Sequence, residues 1–232
     1  MRLAVSEVFG PTIQGEGPDC GVPAVFLRTM ACNLSCRWCD TPYTWDGKRF
    51  NLAAERQLLT PHQAALRIRK HANAGTHLVV VSGGEPMLQQ PALLATLRQL
   101  PASCRVQVET AGTIAPRDLA DFDAGRLSYV VSLKLAHSGN AGGRYVPDAI
   151  NALRDSGQVA AWKFVLATDS DYREVDWLVE QHQLAPVWVM AEGTEAWRLA
   201  HRMEQLLPGA IERGYRVTPR LHIDIFGNRR AV

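Results

Sequence analysis

The chain has 232 residues, of which 47% are hydrophobic and 21% are charged, and its formal net charge is +2. These values are ordinary for a globular protein with a sizeable core, and this length favours one domain over two. They exclude a massed basic surface for nucleic acid, because the basic residues are scattered. No apolar run has the length of a signal peptide or a bilayer span. We therefore expect a cytoplasmic protein that binds neither nucleic acid nor membrane.

Short apolar runs alternate along the chain with longer amphipathic stretches. The apolar runs predict six strands, at Ala24–Thr29, Leu78–Ser82, Arg105–Glu109, Tyr129–Leu133, Trp162–Leu166 and Val187–Met190. The amphipathic stretches predict helices at Pro61–Ala74, Pro91–Leu100, Pro147–Ser156, Tyr172–Gln183 and Glu195–Leu206. Continuous apolar strands joined by helices are typical of a parallel sheet covered on both faces. About six strands are too few for a closed eight-fold barrel, so we predict an α/β fold, an open, partial parallel βα barrel forming a single domain over residues 1–232.

Unusual polar and glycine residues follow the predicted strands. In parallel α/β folds, reactive groups gather at the carboxyl ends of the strands. Four such segments occupy that position: Met30–Cys39, Ser82–Glu85, Glu109–Gly112 and Ser132–Lys134. The sequence therefore predicts a functional site at this edge of the sheet. The stretch Ala136–Gly143 (AHSGNAGG), which comes soon after, looks the most flexible.

Three of the five cysteines, Cys32, Cys36 and Cys39, form a C-x3-C-x2-C pattern. An odd, clustered set is a poor disulfide framework and a good metal site, and thiolates select zinc, copper(I) or an iron–sulfur cluster. Zinc would require a fourth ligand, which His62 or His71 could supply only through folding. A four-iron cluster on three cysteines instead leaves one iron open for the amino and carboxylate groups of S-adenosylmethionine (SAM), from which the reduced cluster generates a radical.

The cysteine pattern, with Trp38 in its aromatic position, closely resembles that of the radical SAM superfamily. Two further strand ends agree with this resemblance. The segment VVVSGGEP (Val79–Pro86) carries paired glycines that allow close approach of a backbone to a ligand, although a strand-to-helix turn would also explain them. The segment Ser132–Lys134 is suited to the ribose and carboxylate of SAM. Cys20 and Cys104 match no ligand position, and we expect them to be small core or surface residues.

Charged residues in apolar settings indicate where a substrate would bind. Arg28 lies in the apolar run PAVFLRTM, and a buried guanidinium requires an anionic partner. That partner is either a substrate anion or a structural carboxylate, with Glu16 and Glu109 as the candidates. Gln14 lies beside Glu16 in the glycine-rich segment TIQGEGPDCG, which could fold over a cavity, although ordinary turn chemistry explains its glycines as well.

The order TIQGEG, FLR, CNLSCRWCDT, SGGEP, VETAGT, SLK and LHIDIFGN closely resembles the 7-carboxy-7-deazaguanine synthase (QueE) family from Ile13 to Asn228. The resemblance implies a carbon–nitrogen lyase of 7-deazapurine and queuosine biosynthesis. Its reaction converts 6-carboxy-5,6,7,8-tetrahydropterin to 7-carboxy-7-deazaguanine and ammonia. The implied cofactors are a 4Fe–4S cluster, SAM and Mg²⁺. The implied partners are a flavodoxin or ferredoxin electron donor and a second copy of the chain.

The resemblance also implies a set of site residues. The cluster ligands would be Cys32, Cys36 and Cys39. The SAM contacts would be Trp38, Cys39, Asp40, Gly84, Glu85, Ser132, Leu133 and Lys134. Thr41 would ligate Mg²⁺, with Asp40 as a further candidate. The pterin would be surrounded by Ile13, Gln14, Gly15, Glu16, Arg28, Ser82, Glu109 and His222, of which Glu109 and His222 are also catalytic candidates beside the three cysteines.

Two alternatives stay open at this point. A glycyl-radical activase shares the cysteine pattern but would lack the pterin-facing acids, and a non-enzymatic metal-binding module would need neither. One departure from the family also bears on the site. Some members end just after the histidine and offer a terminal carboxylate to the substrate, whereas this chain continues past His222 to Val232.

Overall fold

The computed structural model describes residues 1–232. Nine strands form one sheet in the order β3-β1-β2-β4-β5-β6-β7-β8-β9. Their bounds are β1 (Leu3–Ile13), β2 (Pro23–Thr29), β3 (Gln57–Leu59), β4 (Leu78–Gly83), β5 (Arg105–Thr110), β6 (Leu127–Val131), β7 (Val159–Leu166), β8 (Val187–Ala191) and β9 (Arg216–Val217). The α-helices are α1 (Leu52–Glu55), α2 (Pro61–His71), α3 (Gln90–Leu97), α4 (Pro147–Asp155), α5 (Tyr172–His182), α6 (Ala196–Glu212) and α7 (Leu221–Phe226).

The six predicted strands correspond to β2 and β4 through β8, which are neighbours in the sheet and pair in parallel. This arrangement confirms the open, partial α/β barrel. A cluster of 41 buried hydrophobic residues forms the main core between these strands and the helices that connect them. No helix of the protein is both long enough and apolar enough to cross a membrane.

Three strands were not predicted from the sequence. Strand β1 pairs antiparallel with β2 on one side and with β3 on the other, and so extends the sheet beyond the parallel part. Its apolar pattern is interrupted by Glu7 and by Gly10-Pro11, and its register with β2 shifts between Phe9 and Thr12. Strands β3 and β9 have only three and two residues, too few for a pattern to be recognised.

Helix α2 begins where local capping predicts. At the start of α2, Thr60 Oγ1 accepts the Gln63 amide at 3.2 Å, while Gln63 Oε1 accepts the Thr60 amide at 2.8 Å. This reciprocal pair satisfies two amides of the first turn, and Pro61 follows where a missing N–H costs little.

The predicted end of the last long helix at Leu206 is wrong, because α6 continues through Pro208 to Glu212. Tertiary packing overrides the proline here. The Tyr172 hydroxyl donates to the Leu206 carbonyl at 2.7 Å, and a side chain at Gly209 would meet the Tyr172 ring at 2.6 Å. Buried Gly209 and Ala210 thus continue the face that packs on α5.

Candidate active site

The carboxyl ends of the parallel strands surround a cavity of about 370 Å³. Most of the site residues predicted from the sequence line it: Ile13, Gln14, Gly15, Glu16, Arg28, Cys32, Cys36, Trp38, Cys39, Asp40, Thr41, Ser82, Gly84, Glu109, Ser132, Lys134 and His222. Segments separated widely in sequence therefore meet at one place, as the strand-end rule predicts.

Glu85 and Leu133 lie behind the wall of this cavity. The buried Glu85 carboxylate accepts the Thr110 hydroxyl at 2.8 Å and the Ala111 amide at 2.7 Å, which ties the end of β4 to the end of β5. Leu133 belongs to the main core. Any contact of these two residues with SAM would therefore come from backbone atoms.

Three thiols line the cavity, and all five cysteines of the chain are free. Burial raises the pKa of the Cys32 thiol to about 12 and also raises that of Cys36. Such thiols stay protonated until a metal cation replaces the proton. The thiols of the cysteine loop (residues 31–41) do not converge on one point as the ligands of a single metal ion would, and a four-iron cluster does not require this because each thiolate binds a different iron.

Each of the three cavity sulfurs accepts an N–H hydrogen bond, an environment that suits a thiolate ligand. The donors are Leu34 N to Cys32 Sγ at 3.4 Å, Asn140 Nδ2 to Cys36 Sγ at 3.1 Å and Trp45 Nε1 to Cys39 Sγ at 3.3 Å. The histidines considered as a fourth ligand lie elsewhere, with His62 on Gln99 and His71 on the Gly10 carbonyl. Three thiolates, with neither His62 nor His71 beside them, fit a cluster that keeps one iron open for a further ligand.

The paired glycines after β4 pack against the cysteine loop. A Cβ at Gly84 would lie 1.8 Å from the Ala31 carbonyl oxygen, and one at Gly83, whose φ is +135°, would lie 2.3 Å from the Thr29 carbonyl oxygen. The Glu85 amide also donates to the Ala31 carbonyl at 2.8 Å. The Gly-Gly pair is required because the protein's own backbone approaches there, and Gly84 additionally faces the cavity.

Beside the cysteines, Trp38, Ser132 and Lys134 form a second part of the wall. Lys134 Nζ donates to Ser132 Oγ at 2.9 Å and lies 5.5 Å from the centre of the Trp38 ring. Trp38 Nε1 donates to His137 Nδ1 at 3.1 Å, and the two rings stack. An ammonium, a hydroxyl and an aromatic face thus stand next to the cysteine loop.

A buried charge network also lines the cavity. Glu16 Oε2 accepts Lys163 Nζ at 2.6 Å, and Glu16 Oε1 accepts Arg220 Nε at 2.9 Å. Arg220 also donates to the Asp40 carboxylate and, at 2.7 Å, to the Gly193 carbonyl. Burial alone would raise the pKa of Glu16, but Lys163 and Arg220 hold it well below its usual range. Glu16 is therefore ionised and fixed in position.

Arg28 pairs with a carboxylate that the sequence did not indicate. Its Nε donates to Glu7 Oε1 at 2.7 Å, so neither Glu16 nor Glu109 is its partner. This is the only hydrogen bond that the Arg28 side chain makes within the protein. Its two terminal amino groups remain free at the cavity, where they offer a fork that fits a carboxylate.

Glu7 is shared with the end of the chain. Besides Arg28, it accepts the Tyr43 hydroxyl at 3.1 Å and Arg230 Nε at 2.9 Å. Arg230 also pairs with Glu55 at 2.8 Å and lies 3.9 Å from the centre of the Tyr43 ring. The residues after α7 are thereby fixed to β1, and residues 228–232 form part of the cavity wall.

Two more predicted residues stand near Glu16. Glu109 Oε1 accepts Gln14 Nε2 at 3.1 Å, leaving its second oxygen free of protein partners. The ring of His222 packs so closely on Gly15 that a Cβ there would meet Nδ1 at 2.0 Å. Burial lowers the pKa of His222, so the imidazole is neutral near pH 7.

Three residues that contribute to the site were not predicted from the sequence: Lys163, Arg220 and Glu7. Lys163 did carry a signal, because it lies in the apolar strand AAWKFVL just as Arg28 lies in PAVFLRTM. Arg220, in VTPRLH, carries no such signal, and Glu7 lies in a strand that was not predicted. Only the folded chain brings them to their partners.

The Glu16 network leads to a prediction about stability. Replacing Glu16 by glutamine leaves two buried cations without their shared anion, so we expect the free energy of unfolding to fall by about 3–5 kcal/mol. The control Glu195→Gln breaks an exposed pair with Arg198 and should cost about 0–1 kcal/mol. Urea unfolding at neutral pH measures both.

The same network predicts a dependence on pH. A carboxyl whose pKa is depressed by folding stabilises the protein above its unfolded pKa, here 4.5, and this stabilisation is lost as the pH falls below that value. Wild-type stability should therefore decline on acidification more steeply than that of Glu16→Gln. Parallel pH profiles would contradict the ionised assignment of Glu16.

Comparison with known proteins defines the class first. Residues 26–160, more than half of the chain, match the Radical SAM superfamily. With the thiol-lined cavity at the strand ends, this match makes the protein a radical SAM enzyme, whose cofactors are a 4Fe–4S cluster and SAM.

Curated relatives then define the family. The chain is 33% identical to the 7-carboxy-7-deazaguanine synthase of Pyrobaculum aerophilum, over 99% of this chain and 97% of that protein. It is 32% identical to the enzyme of the same name from Rhodopirellula baltica, over 98% and 88% of the two chains. The crystal structure of QueE from Escherichia coli has the same fold, with a TM-score of 0.70, 22% identity and 95% of each chain covered. The chain belongs to the 7-carboxy-7-deazaguanine synthase family, and neither the activase nor the non-enzymatic alternative is favoured.

Proposed function

We propose that this enzyme converts 6-carboxy-5,6,7,8-tetrahydropterin to 7-carboxy-7-deazaguanine and ammonia, with Mg²⁺ as an additional cofactor. The observation that carries the proposal is the composition of the cavity wall. It contains three thiols together with a fixed set of carboxylates and one free guanidinium. This pairs a radical-generating half with a half that complements a small molecule carrying both N–H donors and a carboxylate.

The substrate half fits the two ends of a carboxypterin. The guanidine-like edge of the pterin donates N–H groups, and Glu16 and Glu109 are acceptors held in position by neighbouring side chains. The substrate carboxylate would take the free fork of Arg28. Gln14 and neutral His222 would complete the polar surroundings, while Ile13, Gly15 and Ser82 shape the wall.

The cofactor half fits SAM. Cys32, Cys36 and Cys39 would hold the cluster, and when reduced it supplies the electron that cleaves SAM to a radical able to abstract hydrogen from the substrate. Lys134 and Ser132 would bind the carboxylate and ribose of SAM, beside Trp38. Gly84 leaves the strand end open for the nucleoside.

Magnesium would bind near Thr41, whose hydroxyl faces the same cavity. Mg²⁺ prefers hard oxygen ligands and retains water, so one protein oxygen together with the substrate carboxylate is sufficient. Asp40 is the weaker candidate, because its carboxylate already pairs with Arg220. The role of Asp40 is then to hold Arg220 and Glu16 in register with the cysteine loop.

The reaction requires the chain to shield its intermediates rather than to exchange electrons with them. Substrate and products balance in atoms without net oxidation, so the hydrogen first removed must be returned at the end. The cavity walls formed by the cysteine loop, the β1–β2 segment and the residues after α7 would shield the reacting atoms from water once the substrate and SAM fill the cavity. Neutral His222 and the Glu109 carboxyl group line the same cavity, where they would take up and release protons as ammonia departs.

From membership of the family, we further propose a flavodoxin or ferredoxin as electron donor, a homodimer, and a cytoplasmic role in 7-deazapurine and queuosine biosynthesis.

The test of the function is turnover under anaerobic conditions. Protein reconstituted with iron and sulfide, given the carboxypterin, SAM, Mg²⁺ and a reductant, should form 7-carboxy-7-deazaguanine and ammonia, identified by mass analysis. A protein that cleaves SAM but leaves the pterin unchanged would overturn the proposal and retain only the superfamily.

A further inference from the structure

The loop after β6 packs against the cysteine loop. The Arg37 amide donates to the Ser138 carbonyl at 3.0 Å, and a Cβ at Gly139 would lie 2.7 Å from Arg37 Nε. Ser138 and Asn140 are both buried. The stretch AHSGNAGG, which looks flexible in the sequence, is thus firmly packed in its first half.

Asn140 makes the decisive contacts of this loop. Its Oδ1 accepts the Ser35 amide at 2.7 Å, while its Nδ2 donates to Cys36 Sγ at 3.1 Å. One carboxamide therefore fixes the backbone before Cys36 and also presents an N–H to the sulfur. Trp45 Nε1 likewise donates an N–H hydrogen bond to Cys39 Sγ, at 3.3 Å.

An N–H donor at a ligand sulfur acts on the electron affinity of the cluster. The sulfur carries more negative charge when the cluster is reduced, so the donor stabilises the reduced form more than the oxidised form. Burial increases the effect, because no water competes for the sulfur. Removing such a donor should make the reduction potential more negative.

We propose that Asn140 is a positioning residue that sets the reduction potential of the iron–sulfur cluster through its hydrogen bond to Cys36 Sγ. Trp45 has the equivalent role at Cys39. The inference depends on the cluster of the radical SAM class and not on the identity of the substrate. A failure of the carboxypterin assay would therefore leave it standing, and a failure here would leave the substrate assignment standing.

The test is a potentiometric titration of the reconstituted protein, followed by the electron paramagnetic resonance signal of the reduced cluster. Asn140→Asp keeps the acceptor for the Ser35 amide but loses the N–H donor and adds a negative charge, which also lowers the potential, so Trp45→Phe is the charge-neutral test of the lost donor. Trp45→Phe removes only the other donor. Both should bind the normal amount of iron and show a more negative midpoint potential than wild type. The control is Asn33→Ala in the same loop, because the Asn33 side chain donates to Thr113 Oγ1 at 2.9 Å and to no sulfur; it should leave the potential unchanged.

A normal midpoint potential in an iron-replete Asn140→Asp protein would overturn the proposal. If Asn140→Asp binds less iron, Trp45→Phe decides, because its donor lies outside the loop after β6. An iron-replete Trp45→Phe protein with a wild-type potential would then refute the role of these hydrogen bonds.

Discussion

Replacing Cys36 by alanine is expected to abolish both cluster assembly and the cleavage of SAM. Cys36 is one of three thiols on the cavity wall, and no histidine considered as a substitute ligand lies near it. Two remaining thiolates leave the cluster without a complete set of protein ligands. Iron and sulfide analysis, the visible absorbance after anaerobic reconstitution, and the release of 5′-deoxyadenosine measure the loss. The same result is expected for Cys32→Ala and Cys39→Ala.

The other two cysteines supply the matched controls. Cys20 Sγ donates to the Gly15 carbonyl at 3.4 Å, and Cys104 packs against the main core. Cys20→Ala and Cys104→Ala should keep the cluster and cleave SAM at the wild-type rate. A Cys36→Ala protein that assembled a cluster and cleaved SAM normally would show that the ligand assignment is wrong.

The second large effect is expected at Arg28 and Glu109. Arg28→Met and Glu109→Gln should fold and bind SAM, but lose affinity for the carboxypterin. A hydrogen bond to a charged group contributes about 1.5–3 kcal/mol, which corresponds to roughly 10- to 100-fold in the dissociation constant. Calorimetric titration of the reconstituted variants with the pterin measures this directly, since it requires no turnover.

The contacts of Glu7 allow a loss of pterin binding in Arg28→Met to be distinguished from a loss of stability. Glu7 keeps Arg230 and Tyr43 when Arg28 is removed, so Arg28→Met does not leave an unpaired carboxylate. Its loss of stability should therefore stay below the about 3–5 kcal/mol expected for breaking an isolated buried pair. Arg105→Met, which removes an exposed partner of Asp19, serves as the control for a structural ion pair. Unchanged pterin affinity beside a strongly lowered melting temperature would assign Arg28 to structure alone.

The parallel part of the fold was predictable because buried strands carry an unmistakable pattern. Strands β2 and β4 through β8 are continuous apolar runs, and each shows in the sequence without knowledge of its neighbours. Strand β1 lacks that pattern, because Glu7 faces a charge network and Gly10-Pro11 interrupts the run. The extension of α6 through Pro208 was likewise hidden, since it depends on contacts with Tyr172.

The site was predictable to the extent that its residues follow strands or form local motifs. The cysteine loop, Gly84 and Ser132 are of this kind, and all face one cavity. The partners that hold these residues in position neither follow a predicted strand nor belong to a local motif. Arg220 meets Glu16 and Asp40 only through long-range folding, and Glu7 meets Arg28 by antiparallel pairing of a strand that was not predicted. Pairings between distant segments leave no local signal for a sequence pattern to carry.

In the proposed function, one cavity brings the radical chemistry of SAM directly to a bound carboxypterin. The most direct test uses the carboxypterin labelled with deuterium at C6, with the reconstituted protein, SAM, Mg²⁺ and a reductant. Because the conversion involves no net oxidation and the proposed mechanism keeps 5′-deoxyadenosine bound until hydrogen is returned to it, many product molecules should form for each SAM consumed, and the label should appear in SAM recovered after turnover. Release of one 5′-deoxyadenosine for every product, with no deuterium in the recovered SAM, would contradict the account.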